Sequence, residues 1–454
     1  MTVPLPTLSP QEVIDSGCCI GCGTCAGLND RFRMDFDRFA HLKPSGAVTW
    51  PSVITAKTCP FSPYSKNEDT LAAELFPDAP NSDPHIGRWR SAYVGWANES
   101  FRENGSSGGL VNWVAAELLK RGLVDGVAHV VPVRDAQKNG RFFEYRISRS
   151  VDELRQGAHS RYYPTEISRV LREIHEIPGR YAIVGVPCVI KAANLVRQND
   201  PVIGPRIAYT LGLFCGHMKS SRFVESFAWQ MGVPIDDVAA VEFRKKDASR
   251  PANWYRAQLT LSDGSVVEKD WWHLADGDWG AGYFMNNACN YCDDVVAETA
   301  DISFGDAWVE PYTSDGRGTN VIIVRSKEID EIVKAGMLES RLELSPVDAD
   351  FVIQTQAAGF RQRREGLAYR LSWRRSSKAP PKRVDPSRDL TRRRKLIYRT
   401  RAGVSRWSDR IFLLAKALRW PKIYIAWART AAAIYHALTY SRGRLGRIFD
   451  WIGI

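Results

Sequence analysis

The sequence predicts an α/β (α+β) fold, with a small cysteine-rich module before the main sheet and a basic helical tail after it. Apolar runs of strand length alternate with helical patterns from Tyr93 onward, which is typical of a mixed sheet layered with helices. Five of the nine cysteines fall within the first 59 residues, and Lys and Arg accumulate after residue 360. With 454 residues, 44% of them hydrophobic, the chain can bury two or three subdomains, and this composition excludes a disordered protein.

The N-terminal region contains three cysteines at two-residue spacing, Cys19, Cys22 and Cys25, and, after 33 intervening residues, a Cys-Pro pair at Cys59. In bacterial ferredoxin runs a fourth cysteine follows the triplet after three residues. Here that position is Asn29, so a local fourth ligand is missing. We expect Cys59 to replace it and complete a 4Fe-4S site, because a loop of this length can fold back onto the triplet.

Structural zinc is the alternative for the same cysteines, although zinc sites usually take their thiolates two by two. Cys18 lies three residues, not two, before Cys22 and is interpreted as a spare buried thiol. The N-terminus has neither a basic region nor an apolar core of a signal peptide, so we expect a cytoplasmic protein. In a reducing compartment, metal binding is the default use of nine cysteines.

The central elements are read from apolar periodicity and turn residues. Four apolar runs predict buried strands, at 123–133, 181–186, 207–214 and 320–324. Helical patterns between them predict helices at 110–119 and 189–196. The stretch 258–267 predicts a hairpin that turns at Asp263-Gly264. A Pro- and Asp-containing stretch at 76–84 predicts a linker.

These elements divide the chain into five predicted segments. They are an iron–sulfur module at 1–85, the two halves of the sheet domain at 86–180 and 181–345, a helix and linker at 346–390, and a basic tail at 391–454. The linker in the fourth segment is the Ser-, Pro- and Lys-containing stretch that begins near residue 376.

The net charge of +11 is a property of the tail. Residues 361–454 carry 25 Lys and Arg and 5 Asp and Glu. Residues 1–360 carry 37 Lys and Arg and 46 Asp and Glu. The apolar stretch 411–440 lacks the roughly 18 uninterrupted apolar residues that span a bilayer. Its Trp and basic residues fit an amphipathic helix at an anionic membrane surface, which would make the protein peripheral. A helix packed on the parent domain or on a partner subunit is the alternative, and nucleic acid is disfavoured because no nucleic-acid fold signature accompanies the charge.

A second set of four cysteines lies in the central region. Cys188 follows a predicted strand and opens a helix, Cys215 ends another strand, and Cys289 and Cys292 form a Cys-x-x-Cys pair. Alone, Cys188 would be a redox nucleophile with a lowered pKa, and Cys215 a buried core residue. The pair indicates metal or redox chemistry. Together the four predict a second cluster.

The loop from Asn104 to Gly109 immediately precedes the helix at 110–119 and is built of small residues. Ser106, Ser107 and Gly108 would expose backbone N–H groups at a helix N-terminus, which is a common way to hold phosphate. A loop that only caps the helix is the alternative. In a protein with iron–sulfur clusters, a flavin is the usual cofactor that exchanges an electron pair for single electrons. Because flavin cofactors carry phosphate, this favours the interpretation as a phosphate-binding loop.

Five motifs occur in the order seen in the beta subunits of coenzyme F420 hydrogenases and dehydrogenases. They are Ser106–Gly109, Val184–Cys188, Leu213–His217, Cys289–Cys292 and Ala300–Asp306. The chain resembles this family over about residues 15–345. The combination is specific although each motif alone is not.

The resemblance implies FAD in the central region and one or two 4Fe-4S clusters. Cys188, Cys215, Cys289 and Cys292 would hold the cluster next to the flavin, and the 104–109 loop would meet the FAD phosphates. Asp301, Gly305 and Asp306 match a family motif, and the last two are candidate cofactor contacts; a buried strand ended by a glycine turn is the alternative. The N-terminal module resembles a ferredoxin-like extension, here with a single cluster.

Three further features have both a functional and a structural interpretation. His217 is the candidate catalytic proton donor, or a histidine that hydrogen-bonds backbone. The run Glu242–Lys246 would pair with an acidic substrate tail, or form a solvated strand edge. Trp254, Trp271, Trp272 and Trp279 would line a pocket, or pack in the core.

The leading hypothesis is a flavin- and cluster-dependent oxidoreductase. A ferredoxin-like one-electron carrier or a deazaflavin, with coenzyme F420 as a possible co-substrate, would exchange electrons with an organic substrate through the clusters and FAD. A non-catalytic electron-transfer subunit that docks on a partner oxidoreductase through its basic tail is one alternative. A zinc-stabilised binding module is the other.

Overall fold

The computed structural model describes residues 6–98, 100–134, 136–373 and 380–452. The N-terminal module consists of short helices and two antiparallel hairpins. Its elements are α1 (Pro10–Asp15), α2 (Thr24–Gly27), β1 (Phe32–Phe36), β2 (Leu42–Gly46), α3 (Val53–Thr58), α4 (Glu68–Leu75), β3 (Asn81–Asp83) and β4 (Gly87–Trp89). Ser9 and Glu12 form a capping box that starts α1.

The linker expected at 76–84 is a folded segment. It contains β3, and Phe76 and Ala79 are buried against Ala72 of α4. The Pro and Asp residues of this stretch therefore mark turns next to a small apolar cluster. The linker expected from residue 376 lies partly outside the described residues, which resume at Pro380.

Eleven strands follow in the central region. They are β5 (Ser91–Ala97), β6 (Gly126–Pro132), β7 (Phe143–Ser148), β8 (Tyr181–Gly185), β9 (Ile207–Leu213), β10 (Val238–Lys245), β11 (Arg256–Leu261), β12 (Val266–Asp270), β13 (Ile302–Asp306), β14 (Asn320–Val324) and β15 (Leu342–Pro346). Strands β10–β12 form a separate antiparallel sheet, and the other eight form one sheet in the order β15-β5-β14-β13-β9-β8-β6-β7. Pairing is parallel between β6, β8, β9 and β13 and antiparallel elsewhere, which confirms the predicted mixed sheet.

Helices cover both faces of the main sheet. They are α5 (Phe101–Asn104), α6 (Leu110–Lys120), α7 (Ala136–Asn139), α8 (Val151–Arg155), α9 (Ser168–Glu176), α10 (Pro187–Asn199), α11 (Arg222–Met231), α12 (Lys327–Leu338), α13 (Ala349–Thr355), α14 (Ala357–Arg363) and α15 (Glu365–Leu371). Apolar residues of α6 and α12 share one core with the sheet. On the other face α9 and α10 share a core with residues of the N-terminal module, so that module is packed into the sheet domain.

The basic tail forms three helices, α16 (Arg392–Ala417), α17 (Pro421–Tyr440) and α18 (Gly443–Trp451). One continuous helix over 411–440 is not formed, because Arg419 adopts a left-handed φ of 50° and Pro421 starts α17. The inner faces of α16 and α17 pack against the β10–β12 region through Phe412, Tyr424 and Tyr435. Within the described ranges, every helix is too short or too polar to cross a bilayer.

Candidate functional site

The first cysteine set lies on a tightly curled loop that leads into α2. Gly21 and Gly23 have φ values of 79° and 83°, a region that disfavours other residues. A Cβ at Gly21 would lie 2.2 Å from the carbonyl oxygen of Leu42, and one at Gly23 would lie 2.2 Å from a carboxylate oxygen of Glu166. The two intervening glycines therefore allow the loop to curl tightly against its neighbours.

Cys59 joins the triplet from the end of α3, where its N–H donates to the carbonyl of Thr55 at 3.2 Å. Burial and then the charges of Cys22 and Cys19 raise the pKa of the Cys59 thiol. Burial raises the pKa of Cys22 to about 11. All four thiols are free and electrostatically coupled, so the structure brings the predicted set together. Cys18 is fully buried, as expected for a spare thiol.

The second cysteine set forms where two sheet strands end. Cys188 is the second residue of α10, directly after β8, and Cys215 follows β9. Cys289 lies on a short 3-10 helix that ends next to Cys292. Burial and then the charges of the other three cysteines raise the pKa of Cys188 well above its ordinary value. Burial of this thiol thus acts in the direction opposite to the lowering that a helix N-terminus alone would give.

Arg363, at the end of α14, holds the backbone of the second set, although no motif in the sequence points to it. One nitrogen donates to the carbonyls of Cys289 and Cys292 at 2.8 and 3.4 Å, and the other to those of Cys215 and Gly216 at 3.4 and 2.6 Å. The residue is 3% exposed. A planar guanidinium suits such a multiple contact, but nothing in the local sequence distinguishes it from neighbouring arginines.

The two sets meet at one apolar core, which six of the eight cysteines line or contact. Cys22 of the first set is among the groups that raise the pKa of Cys188 in the second. The amide of Asn286 donates to the carbonyl of Ile20 at 3.3 Å, and that of Asn287 donates to the carbonyl of Gly17 at 2.9 Å. The loops that carry the two sets are therefore hydrogen-bonded to each other.

Each set offers four buried or half-buried free thiols, which is the donor chemistry of a 4Fe-4S cluster. In the described part of the chain, no three His, Cys, Asp or Glu side chains converge on one metal ion. A cube binds each cysteine through a different iron, so it requires thiols that surround a space instead of meeting at a point. The residues present fit this group.

The 104–109 loop precedes α6 as expected, and it is fixed by its neighbours. Gly109 has a φ of 79°, and a Cβ at Gly108 would lie 2.7 Å from the carbonyl oxygen of Gly95. The hydroxyl of Ser106 accepts from the N–H of Ser160 at 2.9 Å, and that of Ser107 donates to the carbonyl of Thr319 at 3.2 Å. Asn104 ends α5 and is exposed.

Positive charge surrounds this loop. The Lys246 ammonium donates to the carbonyl of Ser107 at 2.9 Å and to that of Arg102 at 2.5 Å. Burial and then the charges of Arg244 and Arg102 lower the pKa of Lys246 to about 8. Arg102 pairs with Asp315 and Arg244 with Asp306, so the cations beside the loop outnumber these carboxylates by one, and a bound phosphate would offset that charge. The residues present fit the pyrophosphate of FAD. Lys246 is the last residue of the run Glu242–Lys246, for which the sequence suggests a solvated strand edge.

Gly305 and Asp306 have packing partners of their own. A Cβ at Gly305 would lie 2.0 Å from the ring of Phe214. The carboxylate of Asp306 pairs with Arg244 at 2.7 Å, and Arg244 is 5% exposed, so the expected solvated edge is wrong at this position. Asp301 accepts from the backbone and hydroxyl of Thr210 at 2.8 Å. A cofactor contact of Gly305 or Asp306 stays a prediction.

His217 is buried and stacks on Trp279 with 4.2 Å between ring centroids. Among the residues that the structure describes, neither ring nitrogen has a hydrogen-bond partner, so the interpretation as a backbone-bonded histidine is wrong. Burial and then the charge of Lys219 hold its pKa well below the ordinary value, so it is uncharged. Trp271 is buried as well, whereas Trp254 and Trp272 are exposed.

Comparisons with known proteins identify the family of this chain. The family described as coenzyme F420 hydrogenase/dehydrogenase, beta subunit, matches in both of its parts: the N-terminal part at residues 92–172 and the C-terminal part at residues 179–350. The fold resembles a chain of the F420-reducing NiFe hydrogenase complex from Methanosarcina barkeri, with a TM-score of 0.50 and 16% identity over 66% of this chain and 98% of that chain.

Two curated relatives also match. The coenzyme F420-dependent sulfite reductase of Methanocaldococcus jannaschii is 22% identical over 74% of this chain, and a subunit of the F(420)H(2) dehydrogenase of Methanosarcina mazei is 24% identical over 44%. The chain spans 49% and 51% of their lengths. Because the two parts of the family description together match more than half of the sequence, the protein belongs to the family of coenzyme F420 hydrogenase/dehydrogenase beta subunits.

Proposed function

We propose that the protein is an iron–sulfur flavoprotein oxidoreductase that passes electrons through two 4Fe-4S clusters and FAD. The observation that carries the proposal is the pair of free four-cysteine sets that meet at one apolar core. When bound, the clusters would exchange single electrons and the flavin would exchange a hydride with an organic molecule. The membership in an F420-linked oxidoreductase family supports the same class of chemistry.

Each part of the chain has a proposed role. The first set, Cys19, Cys22, Cys25 and Cys59, holds the outer cluster, and the second, Cys188, Cys215, Cys289 and Cys292, holds the inner one. The 104–109 loop and Lys246 hold the FAD phosphates. His217 is proposed as the proton donor. A neutral imidazole can give the proton of one ring nitrogen while the other ring nitrogen takes one up, and both nitrogens are unpaired among the described residues.

The partners are proposed from the relatives. The names of the sulfite reductase and of the dehydrogenase make coenzyme F420 the proposed hydride carrier, with a ferredoxin-like protein or a partner subunit at the one-electron end. A non-catalytic electron-transfer subunit is the second candidate. It is favoured by the word subunit in one relative's name and by the chain spanning about half of both relatives.

Anaerobic purification followed by iron, sulfide and flavin analysis tests the proposal. We expect about eight irons and one FAD per chain, since two cubes hold four irons each. Cys22→Ser should remove about four irons and leave FAD, whereas Cys289→Ser should remove about four irons and also weaken FAD binding. Cys18→Ser is the matched control, because it removes a neighbouring thiol that belongs to neither set. A colourless protein with zinc and no iron would refute the proposal.

A further inference from the structure

The tail helices expose an unusual share of the large apolar side chains of this protein. Of the 20 that the described residues expose, ten lie between residues 407 and 452, about a tenth of the chain. They are Trp407, Leu414, Leu418, Trp420, Ile434, Tyr440, Leu445, Ile448, Trp451 and Ile452. Monomeric soluble proteins rarely concentrate exposed apolar residues in one region, so this surface calls for an occupant.

The exposed residues of α16 follow one strip of the helix. On α16 Arg406, Trp407, Arg410, Leu414 and Leu418 recur at helical spacing and are exposed. The opposite strip of α16 packs on the β10–β12 region, as does that of α17. α16 thus packs one strip on the parent domain and exposes the opposite one. α17 likewise packs on the parent domain and leaves Lys422, Arg429 and Ile434 exposed. The two alternatives for the tail, packing on the parent domain and an amphipathic surface, are therefore compatible.

The outward surface is strongly cationic. Between residues 391 and 452 eleven basic side chains are exposed: Arg392, Arg399, Arg406, Arg410, Lys416, Arg419, Lys422, Arg429, Arg442, Arg444 and Arg447. Over the same range Asp450 is the one exposed acidic residue that the structure describes, and it pairs with Arg393. Lys416 pairs with Glu225 of α11 at 2.7 Å, so most of the positive charge is left to face an external anion.

We propose that the outward face of α16, α17 and α18 binds an anionic lipid surface, with the helices lying in the plane of the membrane. Trp side chains prefer the headgroup region, and Arg and Lys extend toward lipid phosphates while their apolar stems stay in contact with the acyl boundary. The turn between α16 and α17 combines both, since Trp420, 58% exposed, lies between Arg419 and Lys422.

The distribution of charge favours lipid over a protein partner. The buried centre of a protein interface is depleted of charged residues, which collect at its rim. Here cations alternate with apolar residues along the same strip, as in Arg406, Trp407 and Arg410 of α16. A headgroup layer accepts this mixture at every point, because anionic phosphate and hydrocarbon lie within one side-chain length of each other.

Co-sedimentation of the full anaerobically purified chain with vesicles tests the inference. We expect binding to vesicles of phosphatidylcholine with about 30 mol% phosphatidylglycerol, at about 0.1 M salt, and weak binding to phosphatidylcholine alone. Each basic residue near such a surface raises the membrane partition coefficient about fivefold. The double variant Arg419→Gln with Lys422→Gln should therefore lower that coefficient by roughly 25-fold. The matched control is Arg33→Gln with Lys327→Gln, which removes two exposed cations elsewhere and should change it less than about twofold.

Tryptophan contacts give an independent measurement. Brominated lipid should quench the fluorescence of the wild type, and Trp420→Ser with Trp451→Ser should reduce that quenching, whereas Trp272→Ser, at a 62% exposed position outside the tail, should not. Unchanged iron and flavin contents show that the variants are folded. The inference would be overturned by equal binding to both vesicle types, by no binding to either, or by an equal loss of binding in the test and control variants. It would also be overturned if the tail bound a partner subunit and not lipid.

Discussion

At the scale of single residues, Arg363 shows how the chain can fix three proposed ligands with one side chain. Its guanidinium contacts the backbone carbonyls of Cys215, Cys289 and Cys292, which come from two separate segments of sequence. Arginine stays charged even when buried, and its fork of donors matches carbonyls at fixed positions. We therefore regard Arg363 as a positioning residue that also places a positive charge beside the inner cluster.

Arg363→Gln should lower the reduction potential of the inner cluster. Loss of a nearby positive charge disfavours the reduced, more negative state, and in an effective dielectric of about 20 this is worth about 2 kcal/mol, on the order of 100 mV for one electron. A redox titration followed by electron paramagnetic resonance measures the shift. Arg361→Gln, an exposed position on the same helix, is the control. An unchanged potential with full iron content would mean that Arg363 acts through packing alone.

At the scale of elements, the sequence predicts regular segments better than their surroundings. The strand at 320–324 and the hairpin at Asp263-Gly264 are confirmed, because burial and turn chemistry are local properties. The folded segment at 76–84 is missed, since it depends on contacts with α4.

In the candidate sites, too, the features set by local sequence are predicted and those that depend on distant elements are not. The motifs identify cysteines that the structure then brings together, because cluster ligands must be cysteines at short spacing. The cations that surround them are not identified. Arg363 and Lys246 reach their sites from elements distant in sequence, and Lys and Arg occur too often on surfaces for one of them to be singled out.

The loop at 104–109 and the end of β10 form a second unit, which predicts a pH dependence of flavin binding. Lys246 has a pKa of about 8 in the free protein, and a bound phosphate would raise it. Below about pH 8 the ammonium is already charged and binding is at full strength. Above it, binding must take up a proton, so FAD affinity should fall by up to about tenfold per pH unit.

Flavin affinity of the deflavinated protein, measured between about pH 7 and about pH 9.5, checks this expectation. Lys246→Arg should flatten the profile, because arginine stays charged, and Lys246→Gln should weaken binding at every pH. Lys245→Gln removes the adjacent exposed lysine, which pairs with Glu268, and should keep the wild-type profile. A Lys246→Arg profile that still falls over the alkaline range would assign the titration to another group.

At the scale of the whole molecule, the N-terminal module is not an appendage. Its apolar residues share a core with α9, α10 and the sheet, and its cysteine loop is hydrogen-bonded to the loop of the second set through Asn286 and Asn287. The two cysteine sets are therefore neighbours in the fold although they are distant in sequence. If both hold clusters, as proposed, this arrangement would give electrons a route through the protein interior.

This proximity predicts a magnetic interaction between the two clusters. Two reduced clusters in adjacent sites are paramagnetic and close enough to couple, so the fully reduced wild type should give a broadened, split electron paramagnetic resonance spectrum. Cys22→Ser and Cys289→Ser should each leave one simple signal, and Cys18→Ser should keep the split spectrum. If the wild-type spectrum equals the sum of the two single-cluster spectra, the clusters do not couple, and the placement of two clusters side by side is contradicted even where the iron content is full.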